Sequence, residues 1–261
     1  MSATAFAPGS VTTIFVPQAA ESSLGVSFAT DDGVTALVEP ASATSVILDG
    51  RRADVAPVSG VLRRLDAPAT TVHLDTDLPI GCGFGVSGAA TLAAALAANT
   101  EFQLGYTREE LVEASHRAEV EAGTGLGDVF IQNRGGLVWD VGDGIRHSRR
   151  TAPVEYASFG EIATADVLGD EGAMERVRRA GQEAIETIQL PTSLRTIFEV
   201  SWGFAGSTEL ATDRIAEVVA RIRNEGGAAT MAMIGKTVVA TGETGILDDT
   251  TRIADAGAQL R

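Results

Sequence analysis

Three sets of residues have the types and spacing to do chemistry. The first lies in residues 79–99, PIGCGFGVSGAATLAAALAAN, where Gly81, Gly83, Gly85 and Gly88 surround one hydroxyl, Ser87, ahead of an apolar run. Glycine lets a backbone approach a ligand closely, and the unpaired N–H groups at a helix start lie at the positive end of its dipole. Together they make an anion site, most often for phosphate. The second set is His116, Glu119 and Asp128. His116 and Glu119 stand three apart on one helical face, and Asp128 follows in a glycine-rich turn. Phosphoryl transfer needs a metal against the phosphate charge, oxygen groups to hold it, and an aspartate to orient or deprotonate the attacking alcohol. Ser87 and Glu119 could hold Mg²⁺, which prefers oxygen ligands, and Asp128 could be the base. The competing reading is a solvated acidic face, in a chain with 35 acidic residues. A transition-metal site lacks a clear third ligand beside His116 and one carboxylate. The third set, Gly235-Lys236-Thr237, holds the only lysine. A Walker A loop needs a glycine five residues before its Gly-Lys pair, and position 230 is Thr, so a surface lysine after a turn is the simpler reading.

Three readings compete for the glycine stretch. Gly83, Gly85 and Gly88 satisfy G-x-G-x-x-G, but a dinucleotide site needs an acidic strand end about 20 residues on. Residues 107–122 read instead as another helix, which weighs against NAD. A glycine turn packing a helix onto a sheet is the structural alternative. The third is a phosphate cradle of the form P-x-x-x-G-[LF]-G-x-S-[AG]-A, carried by Pro79, Gly83, Phe84, Gly85, Ser87, Gly88 and Ala89.

The elements that must position these groups follow from periodicity. Residues 4–16 read as a strand broken at Ala7-Pro8-Gly9-Ser10, and 24–38 as two runs around Asp31-Asp32-Gly33, a hairpin signal. Strands are expected at 46–48 and 70–74, so the glycine loop lies late, after an opening set of strands. The helix 89–99 is nearly all Ala and Leu and is expected to be buried. Thr107 with Glu110 makes a capping box for a helix over 108–122 that ends at Gly123. Turn and charged residues thicken over 142–153, which sets a domain boundary there: 1–150 and 151–261. The second part shows a strand near 154–158, helical stretches at about 171–189, 192–199 and 208–224, a small-residue loop at 226–235, a strand at 237–241 and a terminal helix or strand over 250–261.

The phosphate-cradle pattern resembles the ATP-binding motif of the GHMP kinase superfamily, and the form G-F-G-x-S-G-A is most similar to the archaeal pantoate kinases. The segment H-R-A-E-V-E-A-G-T-G-L-G-D-V, with Gln132 and Gly135-Gly136 beyond, resembles the same family, as do Ala7-Pro8-Gly9-Ser10 and the stretch from Met231 to Gly235. The resemblance implies an α+β, two-layer fold, with a ribosomal-S5-like N-terminal domain and a ferredoxin-like C-terminal domain. It implies ATP and Mg²⁺, with Gly81, Gly83, Phe84, Gly85, Val86, Ser87, Gly88 and Ala89 at the nucleotide and Ser87 and Glu119 on the metal. Asp128 takes the catalytic place, and His116, Ser10 and Ser22 or Ser23 the substrate side. The reaction implied is phosphorylation of (R)-pantoate to 4-phosphopantoate in coenzyme A synthesis. Other small alcohols (mevalonate, homoserine, a sugar) or a non-catalytic regulator are the alternatives. A homodimer is the family expectation. Two arginines usual in the family are missing: Glu21-Ser22-Ser23-Leu24-Gly25 stands in a shortened loop without one, and Trp139-Asp140 stand near the place of the other. Arg134, Arg146 or His116 are the candidates to bind a carboxylate in their stead.

Composition bounds the setting. The 261 residues carry a net charge of −15, which disfavours nucleic acid and anionic membranes as partners and leaves a small-molecule substrate. Arginine supplies every other cation, and the charge is spread along the chain, as in a protein of a salt-rich cytoplasm, which the family resemblance makes archaeal; the fold is expected to loosen at low salt. Cys82 is the only cysteine, so no internal disulfide forms and a reducing, cytoplasmic setting is expected. No secretory leader or membrane span is evident in the sequence.

Overall fold

A computed structural model describes residues 2–18, 23–162, 167, 169–241 and 244–261. Two long strands form the frame. β1 (Ala3–Pro17) and β2 (Ser23–Pro40) pair antiparallel along nearly their whole length. Both differ from the sequence expectation. β1 is not broken at Pro8-Gly9; the register shifts between Pro8 and Ser10, a bulge that absorbs the proline, which has no N–H to offer a ladder. β2 makes no hairpin at Asp31-Asp32-Gly33. Gly33 pairs with Pro8, and a Cβ there would lie 2.2 Å from the Ala7 carbonyl oxygen. Glycine serves close strand approach at that point, not a turn.

β3 (Ser45–Leu48), β4 (Arg51–Ala53) and β5 (Thr70–Thr76) extend the sheet beyond β2. β3 runs parallel to β5, and α1 (Ala56–Arg64), which the sequence reading left out, fills the connection between β4 and β5. Its N-terminus has no side-chain cap and opens with Ala-Pro, so the local signal is weak. β6 (Leu137–Asp140) joins β2, and β7 (Arg146–Ser148) joins β6.

Helix α2 (Val86–Glu101) lies against β1 and β2. Residues 88–98 are all buried, as an Ala/Leu helix without a polar stripe must be. The small side chains let it sit close to the sheet. α3 (Arg108–Ala122) follows, with the Thr107–Glu110 capping box formed and Gly123 in the left-handed region at its end. α4 (Asp128–Arg134) is one short turn-rich helix between α3 and β6.

The second sheet has order β11-β8-β10-β9, all antiparallel, from β8 (Pro153–Ser158), β9 (Ala228–Ala232), β10 (Thr237–Thr241) and β11 (Asp249–Arg252). Here the small-residue stretch 226–235 is corrected from loop to strand over its middle. All five β9 residues are buried, because Ala and Thr side chains leave room for the helix packed on them. The helices are α5 (Glu171–Thr187), α6 (Leu194–Thr208) and α7 (Asp213–Asn224). The middle one runs nine residues further than expected, and 209–212 separates it from α7. α5 also leans on the first sheet: a Cβ at Gly181 would lie 2.5 Å from the Phe15 carbonyl oxygen. The terminal stretch is strand, with β12 (Gln259–Leu260) returning to pair with β1. One apolar cluster runs through both layers, from Val11, Ile14 and Phe28 to Ile197, Phe198 and Met231.

Candidate active site

The glycine loop is built by contact, not by local preference. Gly81, Gly83 and Gly85 have φ of +73°, +92° and +60°, where side chains are strained. Space excludes them too. A Cβ on Gly85 would lie 2.3 Å from Ser10 Oγ, 2.8 Å from Gln132 Nε2 and 3.2 Å from the Asp128 carboxyl carbon. From the other layer, Gly235 packs on the Cys82 carbonyl, and Thr237 Oγ1 donates to that carbonyl oxygen at 2.7 Å. The stretch ending at Gly235 therefore buttresses the loop from the second sheet. Gly85 is the N-cap of α2 and has no side-chain cap, so the first amides of this helix are left for another acceptor.

Glu119 sits 3% exposed on α3, facing α2. Ser87 Oγ and Thr91 Oγ1 donate to its Oε1 at 2.9 and 2.8 Å, and Thr124 Oγ1 donates to Oε2 at 2.9 Å. Burial pushes its carboxyl pKa up, the three hydroxyls oppose that, and the neighbouring Asp128 charge adds to the rise. Asp128 begins α4 and is half-buried. Burial pushes its carboxyl up as well, against one opposing hydrogen bond, 2.9 Å from Ser10 Oγ to Oδ1. Gly125 lies between the two carboxylates: a Cβ there would stand 3.2 Å from Glu119 Oε2 and 3.7 Å from Asp128 Oδ2.

Ser87, Thr124, Gly125 and Asp128 share one cleft of about 1030 Å³, and Glu119 lies just behind its wall, hydrogen-bonded to Ser87 and Thr124. Gly81, Gly83, Phe84, Gly85, Val86 and Ser87 line it, with His116, Asp128 and Ser23. His116 is buried with its ring 4.9 Å from that of Phe130. Three sets of expected residues lie off the cleft lining. Gly88 and Ala89 do not line the cleft; the helix starts at Val86, so their positions turn inward to the core and only backbone amides can serve a ligand. Ser10 is 1% exposed and lies under the loop, its N–H donating to the Phe84 carbonyl at 2.8 Å. Its hydroxyl meets Asp128 rather than the cleft. Arg134 donates to the Phe130 carbonyl and Arg146 pairs with Asp143, and neither lines the cleft. Glu21 and Ser22 lie outside the described residues.

Sequence reasoning gave no role to Thr91, Thr124 or Gln132. Thr91 had a signal, a lone hydroxyl one turn after Ser87 in a run of Ala and Leu. Arg64 and Arg117, the cleft's arginines among the described residues, had none; they stand beside Glu121 and Glu113, with which they pair.

The oxygen donors suit a small hard cation. Ser87 and Glu119 meet at one point, and Glu119 Oε2 accepts the Thr124 hydroxyl and keeps further acceptor capacity. Beside them the uncapped helix start suits phosphate.

Residues 56–136 match the GHMP kinases N terminal domain. Pantoate kinase of Methanospirillum hungatei is 27% identical over 257 residues, covering 92% of this chain and 87% of the relative. Pantoate kinase of Methanocaldococcus jannaschii is 25% identical over 263 residues, covering 95% and 96%. A solved structure described as a phosphotransferase related to the CoA biosynthesis pathway has the same fold, with a TM-score of 0.85 at 22% identity over 100% of this chain and 99% of that one. On the loop and the matched segment, residues 56–136 are similar to the GHMP kinases N terminal domain, and the chain as a whole is similar to archaeal pantoate kinases and shares the fold of the related phosphotransferase.

Proposed function

We propose that the protein is an ATP-dependent kinase for a small alcohol, and that the alcohol is (R)-pantoate, giving 4-phosphopantoate for coenzyme A synthesis. The observation that carries the reading is the meeting of an uncapped glycine-rich helix start, Ser87 and Asp128 in one cleft, with Glu119 hydrogen-bonded to Ser87 behind its wall. Similarity to pantoate kinases over nearly the whole chain supports the substrate.

In this reading the amides of residues 86–88 receive the triphosphate. Ser87 and Glu119 hold Mg²⁺, which when bound neutralises phosphate charge. Thr91 and Thr124 keep the Glu119 carboxylate aimed. Asp128 takes the proton of the substrate hydroxyl as that oxygen attacks the γ-phosphorus; the bond to the bridging oxygen breaks and ADP leaves. A raised Asp128 pKa suits the task, since a base works best with a pKa nearer the operating pH. His116 and Ser23, on the cleft wall, position the substrate, and His116 is the one of the three candidate carboxylate binders that lines the cleft. The division into 1–150 and 151–261 places the catalytic groups in the first part and the loop's buttress in the second. No described helix is long and apolar enough to cross a membrane, and the acidic charge fits a salt-rich cytoplasm.

The test is ADP release from Mg-ATP in molar KCl with (R)-pantoate, mevalonate, homoserine, shikimate and simple sugars. Turnover with pantoate alone is expected. Turnover with another alcohol keeps the kinase and discards the pathway, and ATP binding without turnover across the panel makes the chain a regulator.

A further inference from the structure

Gln132 is wholly buried, a rare place for an amide side chain. It lies on α4 one turn after Asp128. Its Nε2 donates to the Gly85 carbonyl at 2.7 Å and to Ser10 Oγ at 3.2 Å. The Gly85 carbonyl only accepts, which fixes the amide nitrogen at that end. Among the described residues its Oε1 has no hydrogen-bond partner, and it stands 2.9 Å from where a Gly88 Cβ would be. A buried acceptor left unsatisfied is a stability liability, so the use of this side chain is on its donor side.

The donor side sets a direction. A serine hydroxyl has one proton. Because Ser10 Oγ accepts from Gln132, that proton goes to Asp128 Oδ1. The Gly85 carbonyl also accepts the Ala89 N–H at 3.0 Å, the first helical bond of α2. One amide thus touches both the helix turn beside the anion site and the hydroxyl that aims the aspartate.

We propose that Gln132 is a positioning residue: its amide directs the Ser10 hydroxyl and, through it, orients the Asp128 carboxylate relative to the Gly85 end of the phosphate loop. This deepens the kinase reading, in which Asp128 is the base. Gln132 itself touches no substrate; its effect on Asp128 passes through Ser10, while its bond to the Gly85 carbonyl holds the loop end.

The experiment is a double-mutant cycle on Gln132→Met and Ser10→Ala with two readouts. The first is the titration of the Asp128 carboxyl by ¹³C NMR, its resonance assigned by its loss in Asp128→Asn. Losing the Ser10 donor removes a bond to the charged form, so the midpoint moves to higher pH in S10A. The same direction is expected in Q132M, and the double variant moves no further than S10A. The second readout is kinetic: kcat falls about tenfold in each single variant, as small misplacement of a reacting group does, while KM for Mg-ATP changes less than about twofold. The double variant is again no worse than the poorer single one, since groups acting in series are not additive. A Q132M titration identical to wild type overturns the proposal, and so do penalties that add. Q132E keeps the side-chain shape but, ionised, only accepts; Ser10 then donates to it, and the Asp128 midpoint rises at least as far. Where Q132M folds poorly, Q132E decides. The titration needs no turnover, so it reads the relay even if the wild-type chain transfers no phosphate; that result overturns the kinase reading instead.

Discussion

Glu119 is gripped by three hydroxyls, two from α2 and one from the loop after α3, whereas Asp128 is held by one hydroxyl from β1. Both carboxylates are pushed up by burial. The grip separates them. A carboxylate clamped through both oxygens cannot turn, which suits a group that must hold a cation in one place. A carboxylate with one anchored oxygen keeps the other available at the cleft, which suits a group that must accept a proton. The same chemistry is thus given two tasks by the number of partners, an instance of environment assigning roles to paired acids.

The largest effect expected is from Asp128→Asn, which keeps the shape and removes the base. Turnover falls at least about 10², the scale of acid–base contributions. The same change acts on stability in the opposite sense. The folded pKa of Asp128 lies above its unfolded value, so its contribution to stability is greatest below the unfolded pKa and falls as pH rises through the folded one. At pH 7 the neutral asparagine avoids that cost. The melting temperature of Asp128→Asn at pH 7 is expected to equal or exceed that of wild type, and a clear drop would mean that Asp128 is structural. In the wild type, the acid limb of kcat against pH is expected above the ordinary carboxylate range of about 4.

Gly85→Ala tests the ground between the two carboxylates. Its methyl would meet Ser10, Gln132 and Asp128 at once, in a left-handed conformation. Turnover is expected to fall about tenfold and stability by about 1–3 kcal/mol, the usual cost of overpacking. Thermal melts and nucleotide titration check both; normal nucleotide binding with normal turnover would show that the loop has slack the structure does not display.

Thr91→Val is the smallest change and bears on Glu119 and on the Ser87 carbonyl, the two acceptors of its hydroxyl. It removes a hydrogen bond to a buried carboxylate, about 1.5–3 kcal/mol for a charged partner. With Ser87 and Thr124 still in place, kcat at saturating Mg²⁺ is expected to change only severalfold, with more Mg²⁺ needed for half-maximal rate. An Mg²⁺ titration of the variant checks this. A loss as large as that of Asp128→Asn would erase the distinction between the two sites.

Much of this site was legible along the chain because its parts are local. The glycine loop, the Thr107–Glu110 box, Gly123 as a stop and the face shared by His116 and Glu119 all rest on residues within a few positions of one another. Side-chain spacing and backbone freedom decide such features before any tertiary contact forms. Other features have no local signal. Gly33 reads as a turn residue but lies within the continuous strand β2, beside the register shift, with Pro8 paired opposite it. Residues 228–232 read as a loop but form a strand, because β10 and a helix cover them. Ser10 lies 118 residues from Asp128, and Gln132 lies 47 from Gly85. The sequence by itself determined which groups could cradle phosphate and which could accept a proton, since those are properties of residue type and short spacing. Only the tertiary structure decided that Ser10 and Gln132 aim Asp128 and that three hydroxyls clamp Glu119. Those partners meet through the path of β1 beneath the loop and the packing of α2 on α3, which no short window of sequence contains.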